Sequence, residues 1–336
     1  MPDLSTSYLG LQLKNPLVPS SSPLSYKLDA LLHLEDAGAA AIVMHSLFEE
    51  DVRNEEQMLD RFLINPDAFG ESSGHLPRHA NYQSKLDAYL EQISLLKQRL
   101  SIPLVASLNG TTTGGWLQLG KEIQDAGADA LELNSWFVPT DPHISSSAQE
   151  EQYLALLREL KAVVCIPVCM KLSPFFSSLP HFVCQAEAAG AAGVSLFNRF
   201  FQPDIDLEHL RIIDHAQLTS SADTMLAMRW IAILRGRSGL SLAATGGVHQ
   251  PADALKMLLA GADVVHMASA LLQRGPQALR EVLEGMHDWM EQHEYDSVGQ
   301  LKGAMSQQNL PDPGGFARAA YLNALNSFSP PAGVRY

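Results

Sequence analysis

The stretch Ala126-Gly127-Ala128-Asp129-Ala130-Leu131-Glu132-Leu133-Asn134 reads as the end of a helix followed by a buried strand. Glycine ends a helix because, lacking a Cβ, it takes positive φ at no steric cost. The apolar run behind it has the length of a strand covered on both faces. The tripeptide recurs as Ala37-Gly38-Ala39, Ala189-Gly190-Ala191 and Ala260-Gly261-Ala262, each before a short apolar run. Strands are therefore expected at 41–45, 130–134, 194–198 and 264–268.

A second signal falls between these. Pro103 and Pro167 open the apolar runs 104–108 and 168–172, and proline is tolerated at a strand's first residue, where no ladder donor is needed. Gly239 precedes the run 240–245, and Leu17-Val18-Pro19 supplies one more. The intervals from Gly127 to Gly190 and from Gly190 to Gly261 each have room for two βα units of about 30 residues. Eight strands alternating with helix-length segments predict an α/β chain with a parallel sheet, closed as a (β/α)8 TIM barrel. An open, doubly wound sheet is the alternative and would need fewer strands. Residues 1–289 are assigned to the barrel, and 290–336 to a C-terminal helical extension packing on it.

The chain has 336 residues, is 46% hydrophobic and 18% charged, and carries a formal charge of −14. That field repels phosphate backbones and anionic membrane surfaces, so neither nucleic acid nor membrane is expected as a partner. No apolar run reaches the roughly 18 residues that span a bilayer. The start, Met1-Pro2-Asp3-Leu4-Ser5, lacks the basic and apolar regions of a signal peptide. Three cysteines, Cys165, Cys169 and Cys184, form neither a disulfide framework nor a zinc pattern and read as buried thiols in a reducing cytoplasm. No metal site is expected.

Two polar segments break the rhythm, 50–80 after the second predicted strand and 136–150 after the fourth. Both read as long loops on the C-terminal face, where such barrels keep their active sites. Thr245-Gly246-Gly247-Val248 and Met267-Ala268-Ser269-Ala270 end the last two strands. Loops in those positions cradle phosphate with backbone N–H groups, and the helix starting near Pro251 would add its N-terminus. Lys171 lies inside an apolar strand, Met170-Lys171-Leu172, and such a lysine needs an anionic partner. A flavin would provide one, because negative charge gathers near N1 and O2 of its reduced form. Asn109, Asn134 and Asn198 end three strands, and their amides suit a ring edge of alternating carbonyls and N–H groups. Ser20 and Ser21 after the first strand, with His45 and Ser46 after the second, complete the rim.

These residues resemble the dihydroorotate dehydrogenase family, in its soluble class 1 branch. The resemblance spans about residues 8–280. It rests on Leu13-Lys14-Asn15-Pro16-Leu17, Glu132-Leu133-Asn134, Val168-Cys169-Met170-Lys171-Leu172-Ser173-Pro174, Ala244-Thr245-Gly246-Gly247-Val248 and Met267-Ala268-Ser269-Ala270-Leu271. It implies FMN in a barrel, usually dimeric, oxidising dihydroorotate to orotate in pyrimidine biosynthesis. By matched position, Ser20, Ser21 and Ser46 would contact the flavin and Asn134 and Lys171 its ring. Gly246, Gly247, Ala268 and Ser269 would hold its phosphate, and Asn198 would meet flavin and substrate. An iron–sulfur electron-transfer subunit is an implied companion, since the chain carries no cluster motif.

The substrate half departs from the family pattern. His45 stands where a lysine is usual, and Phe137 where a cysteine or serine base is usual. Of the asparagine-rich substrate loop only Asn81-Tyr82-Gln83 remains. Ser135, His143 and His45 are the candidates left for a base. Two other functions stay open: a flavoprotein of this family with a different substrate or an electron-transfer role, and a flavin-free phosphate-binding lyase or isomerase using Lys171 covalently.

Overall fold

Each repeated glycine closes a helix in the left-handed region, with φ of 108° at Gly38, 107° at Gly127, 99° at Gly190 and 125° at Gly261. At Gly127 its own N–H donates to the Gln124 carbonyl and the Ala128 N–H to that of Ile123. The same pair of bonds recurs at the other three sites. These are Schellman motifs, which satisfy the last carbonyls of the helix and turn the chain into the next strand.

A computed structural model describes residues 1–64, 84–110, 116–134, 138–199, 202–213, 217–316 and 318–327. Its eight-stranded sheet consists of β1 (Leu17–Pro19), β2 (Ile42–Phe48), β3 (Leu104–Asn109), β4 (Ala130–Asn134), β5 (Val168–Leu172), β6 (Gly193–Leu196), β7 (Ser241–Thr245) and β8 (Val264–Met267). The order is β1-β8-β7-β6-β5-β4-β3-β2, and every ladder is parallel. The Ala40 N–H donates to the Leu17 carbonyl at 3.0 Å across the remaining gap, between β1 and β2. The fold is a (β/α)8 barrel.

Side chains alternate between two cores along the strands. Leu104, Ala106, Leu131, Leu133, Val168 and Met170 face the surrounding helices. Val18, Val43, Val105, Ala130, Cys169, Ala243 and Val264 face the axis and fill it with small residues. A hairpin of Thr6–Tyr8 and Leu11–Leu13 contributes Tyr8, Leu9 and Leu13 to that inner core. The Tyr8 hydroxyl donates to Cys169 Sγ at 3.4 Å.

Four features differ from the sequence reading. The segment 50–80 opens as a helix, Glu49–Ile64, with Glu49, Glu50 and Asp51 in its first turn, where carboxylates favour the exposed N–H groups. Within 136–150, Ser145 accepts from the Ala148 N–H and caps a helix over Ser146–Val163. The sixth strand leaves the ladder after Leu196, although the Asn198 N–H still donates to the Leu172 carbonyl at 2.8 Å. Of the cysteines only Cys169 is buried; Cys165 and Cys184 are exposed.

The segment after the helix Gln277–Gln292 runs back along the barrel. Asp3 pairs by backbone with Asp296 and Val298, Met305 with Leu259, and Gln307 with Ala232. Among the described residues no helix is long and apolar enough to cross a membrane.

Candidate active site

Directly above the apolar layer, the inward positions change character. The axis there is lined by Ser20, Ser46, Ser107, Glu132, Lys171, Ser195, Thr245 and His266, one from each strand or its end. Lys171 Nζ donates to Glu132 Oε1 at 3.2 Å, and both side chains are buried. Each charge stabilises the other where water does not. Glu132 Oε2, Ser195 Oγ and both ring nitrogens of His266 have no hydrogen-bond partner among the described residues. Burial holds His266 down at a pKa of about 4, with Glu132 opposing and Lys171 reinforcing the shift. Burial also pushes the Cys169 thiol well up, helped by the Glu132 charge.

A cavity of about 540 Å³ opens on this layer at the C-terminal ends of the strands. Its lining brings together most of the residues expected from sequence: Ser20, Ser21, Asn134, Lys171, Asn198, Gly246, Gly247, Ala268 and Ser269. Asn198 Nδ2 donates to Asn134 Oδ1 at 2.7 Å, which fixes two amides side by side. Gly246 and Gly247 take φ of 99° and 80°. A Cβ on Gly247 would lie 2.6 Å from the Thr224 nitrogen and 2.8 Å from the Ser220 carbonyl, so backbone approaches there as no side chain would allow.

The expected helix N-terminus does not join this cradle. Asp253, inside the first turn of the helix Pro251–Ala260, accepts from the His249 and Gln250 N–H groups at 3.0 Å each and from Ser221 Oγ at 2.7 Å. Its own carboxylate occupies the place an anion would take. Residues 246–247 and 268–269 line the cavity without that helix N-terminus.

His45 and Ser46 part company because of a bulge. Val43 pairs with Val105 but Ser46 with Ser107, so β2 spends one residue more than β3 between the two pairs. That extra residue turns Ser46 inward, its Oγ 2.8 Å from that of Ser107 and 3.4 Å from that of Ser21. The His45 ring instead lies against Tyr26 and Tyr89, at centroid distances of 4.1 and 5.1 Å, with Nδ1 3.1 Å from Ser25 Oγ. Neither His45 nor Ser46 is part of the cavity lining, and burial lowers the His45 pKa to about 4. Asn109, half-buried, ends β3 in register with Asn134 and is likewise outside the lining. His143 is exposed. Asn81, Ser135 and Phe137 lie outside the described residues.

Sequence reasoning passed over Glu132 and His266 as site residues. Their signal was parity: Glu132 precedes Asn134 by two on β4, and His266 precedes Ala268 by two after β8, which puts each pair on one face. Arg199, whose guanidinium lies 3.7 Å from the Asp223 carboxylate at the cavity wall, carried no such signal.

A parallel (β/α)8 barrel with a buried cation, paired amides and a glycine turn around one cavity at the C-terminal ends of its strands is the architecture of an enzyme. The family model described as "Dihydroorotate dehydrogenase" matches residues 3–290. The catalytic subunit of dihydroorotate dehydrogenase B (NAD(+)) from Thermoplasma acidophilum is 26% identical over 311 residues, covering 90% of this chain and 99% of the relative. The catalytic subunit of the same name from Pyrococcus abyssi is also 26% identical, covering 89% of this chain and 98% of its own length. Dihydroorotate dehydrogenase A (fumarate) from Lactiplantibacillus plantarum is 26% identical, covering 89% and 97%. The chain belongs to the dihydroorotate dehydrogenase family, and it is an oxidoreductase acting on CH–CH bonds.

Proposed function

We propose that this enzyme binds FMN in the 540 Å³ cavity and oxidises dihydroorotate, or a close cyclic relative, at a CH–CH bond, in the cytoplasm. The observation that carries the reading is the convergence of Lys171, Asn134 and Asn198 on the same cavity as the Gly246–Gly247 cradle. The residues present fit the cofactor. A glycine turn that is open at Gly246 and too tight for a Cβ at Gly247 suits a phosphate, and a buried ammonium beside two fixed amides suits a polar ring edge. Gly246, Gly247, Ala268 and Ser269 would hold the phosphate, and Ser20, Ser21, Asn134, Lys171 and Asn198 the ring system. When bound, FMN supplies the acceptor for the hydride leaving the substrate.

The chain's own groups do the rest. Lys171 brings a fixed positive charge to the cavity that would hold the ring, kept in position by Glu132 at 3.2 Å. A charge that needs no reorganisation stabilises the electron-rich state of whatever it faces. Asn134 and Asn198 orient the ligand edge through amides already locked to each other. The small residues of the inner core and Tyr8 close the axis below, so the site is reached from the C-terminal face.

The covalent alternative would require Lys171 Nζ to abandon its ion pair with Glu132, which opposes its use as a nucleophile. A homodimer and an electron-transfer subunit are part of the proposal. The relatives named as catalytic subunits support a partner. The hairpin Asp204–Asp206/Arg211–Ile213 supports a second copy. It exposes the cross-strand pair Ile205 and Ile212 beside Leu207 and Leu210, and so small a hairpin gains stability when that face is covered.

The visible spectrum of the purified protein tests the cofactor, and anaerobic bleaching on adding dihydroorotate tests the substrate. A protein without flavin absorbance that gains none from added FMN overturns the reading.

A further inference from the structure

Beside the main cavity lies a second one of about 260 Å³. Val138 and Pro139 border it from the segment after β4, Gln149 and Tyr153 from the helix Ser146–Val163, and Phe175 and Phe176 from the segment after β5. Phe175 lines both cavities, so the two share a wall. Phe176 is itself anchored, stacked on Phe182 at a centroid distance of 4.4 Å. The wall beside Val138 follows Phe137 in sequence, the position where the family's base is absent.

One polar group in this apolar chamber is unspent. Gln149 is only 7% exposed, and its Nε2 donates to Gln152 Oε1 at 3.1 Å. Its Oε1 has no partner among the described residues. Turning both amides over exchanges donor for acceptor but still leaves one end of Gln149 unmatched. A buried amide end without a partner costs on the order of a hydrogen bond's desolvation. That oxygen is sealed from solvent, so the site recovers the cost when the Gln149 side chain turns to meet a ligand group in the chamber. The charge around the chamber is one-sided: Glu150 also lines it, and no lysine, arginine or histidine does.

We propose that this chamber is a substrate subsite, built for an uncharged apolar or aromatic arm that extends from the reacting ring and carries one amide or hydroxyl group to meet Gln149. The inference rests on the dehydrogenase reading of the main cavity and names its substrate class: a cyclic CH–CH substrate larger than dihydroorotate itself. An arm ending in a carboxylate would face Glu150 and is rejected.

The direct probe is benzamide, an aryl ring with one amide, against benzoate, observed by saturation-transfer NMR on the full-length, flavin-loaded protein. Benzamide binds, and benzoate binds about tenfold more weakly or not at all. Gln149→Leu, which keeps the volume and removes the amide, weakens benzamide about tenfold. Ser177→Trp fills the chamber from its exposed rim and abolishes binding while flavin content stays unchanged. The spanning probe is the anilide of dihydroorotate in anaerobic flavin reduction. Its KM lies below that of dihydroorotate in the parent protein, and Ser177→Trp removes the advantage without moving the KM of dihydroorotate. Absence of benzamide binding, equal binding of benzoate, or binding that survives both substitutions overturns the subsite. Benzamide binding that follows this pattern while neither dihydropyrimidine reduces the flavin overturns the assigned ring chemistry and supports the chamber.

Discussion

Replacing Lys171 with methionine leaves the Glu132 carboxylate buried with neither oxygen partnered. Glu132 is 1% exposed, Lys171 is its ion-pair partner at 3.2 Å, and Oε2 has no partner among the described residues. Breaking a buried pair from one side costs about 3–5 kcal/mol, because the remaining charge is neither solvated nor neutralised. For a chain of this length that corresponds to a drop in Tm of roughly 4–7 °C. The double variant Lys171→Met/Glu132→Leu removes both charges and fills their place with apolar atoms, so most of the loss returns. The proteins are compared free of flavin, since a bound ligand adds its own stabilisation. Urea and thermal midpoints read the cycle. The single variant also has a pH signature. An unpaired buried carboxylate takes up a proton more readily when folded than when unfolded, so its deficit shrinks as pH falls from 7 towards 4. Flavin affinity separates the roles: the double variant regains stability and not the cofactor. If Lys171→Met melts within about 1 kcal/mol of the parent, the pair is not the anchor described above. If the double variant is no more stable than the single one, the cost lies in lost packing.

Three further outcomes follow from the same geometry. Gly247→Ala sets a Cβ 2.6 Å from the Thr224 nitrogen in a left-handed backbone region, so FMN affinity falls by about tenfold or more in a fluorescence titration; unchanged affinity would place the phosphate elsewhere. His266 is buried neutral with its pKa lowered to about 4, so the unfolded chain binds the extra proton between pH 6.5 and 4. Its share of the stability is full above 6.5 and falls by up to about 3 kcal/mol as pH drops through that window; His266→Gln reduces the slope without abolishing it, because His45 carries the same lowered pKa, and an unchanged slope would assign it to other groups. Ile212→Asp on the exposed hairpin, opposite Ile205, converts a dimer to a monomer in sedimentation without loss of flavin. A parent protein that sediments as a monomer refutes the second-copy assignment.

The strand count was legible because each helix ends in a motif with a local code. Ala-Gly-Ala specifies the Schellman turn through two hydrogen bonds within six residues, and proline marks strand openings through its missing donor. Lys171 stood out for the opposite reason, as a charge inside an apolar run. The direction of His45 was not legible. It depends on one extra residue between two ladder pairs, and neither β2 nor β3 advertises a bulge in its own residues. Glu132 and His266 interrupt apolar runs as Lys171 does, and counting back two residues from Asn134 and Ala268 puts them on the same inward face; neither ends its strand, which is where the expected site residues were sought. The helix start at Pro251 misled differently. A proline-opened helix behind a glycine pair reads as part of an anion site, yet the Asp253 carboxylate already accepts from Ser221, His249 and Gln250 there.

That contrast explains why one half of the site resembles the family and the other does not. The residues assigned to the cofactor sit on or next to strand ends, where register against two neighbouring strands fixes each side chain. Moving Lys171 or Asn134 would slip ladders on both sides. The positions expected to face substrate, Asn81 and Phe137, fall in the segments that follow β2 and β4 and lie outside the described residues. Segments that follow barrel strands exchange residues at little cost to the barrel. A change of substrate is therefore most accessible where Phe137 replaces the usual base and where the 260 Å³ chamber opens. The enzyme can keep the buried Lys171–Glu132 pair and the glycine cradle intact while the chemistry it admits is set from the loops above them.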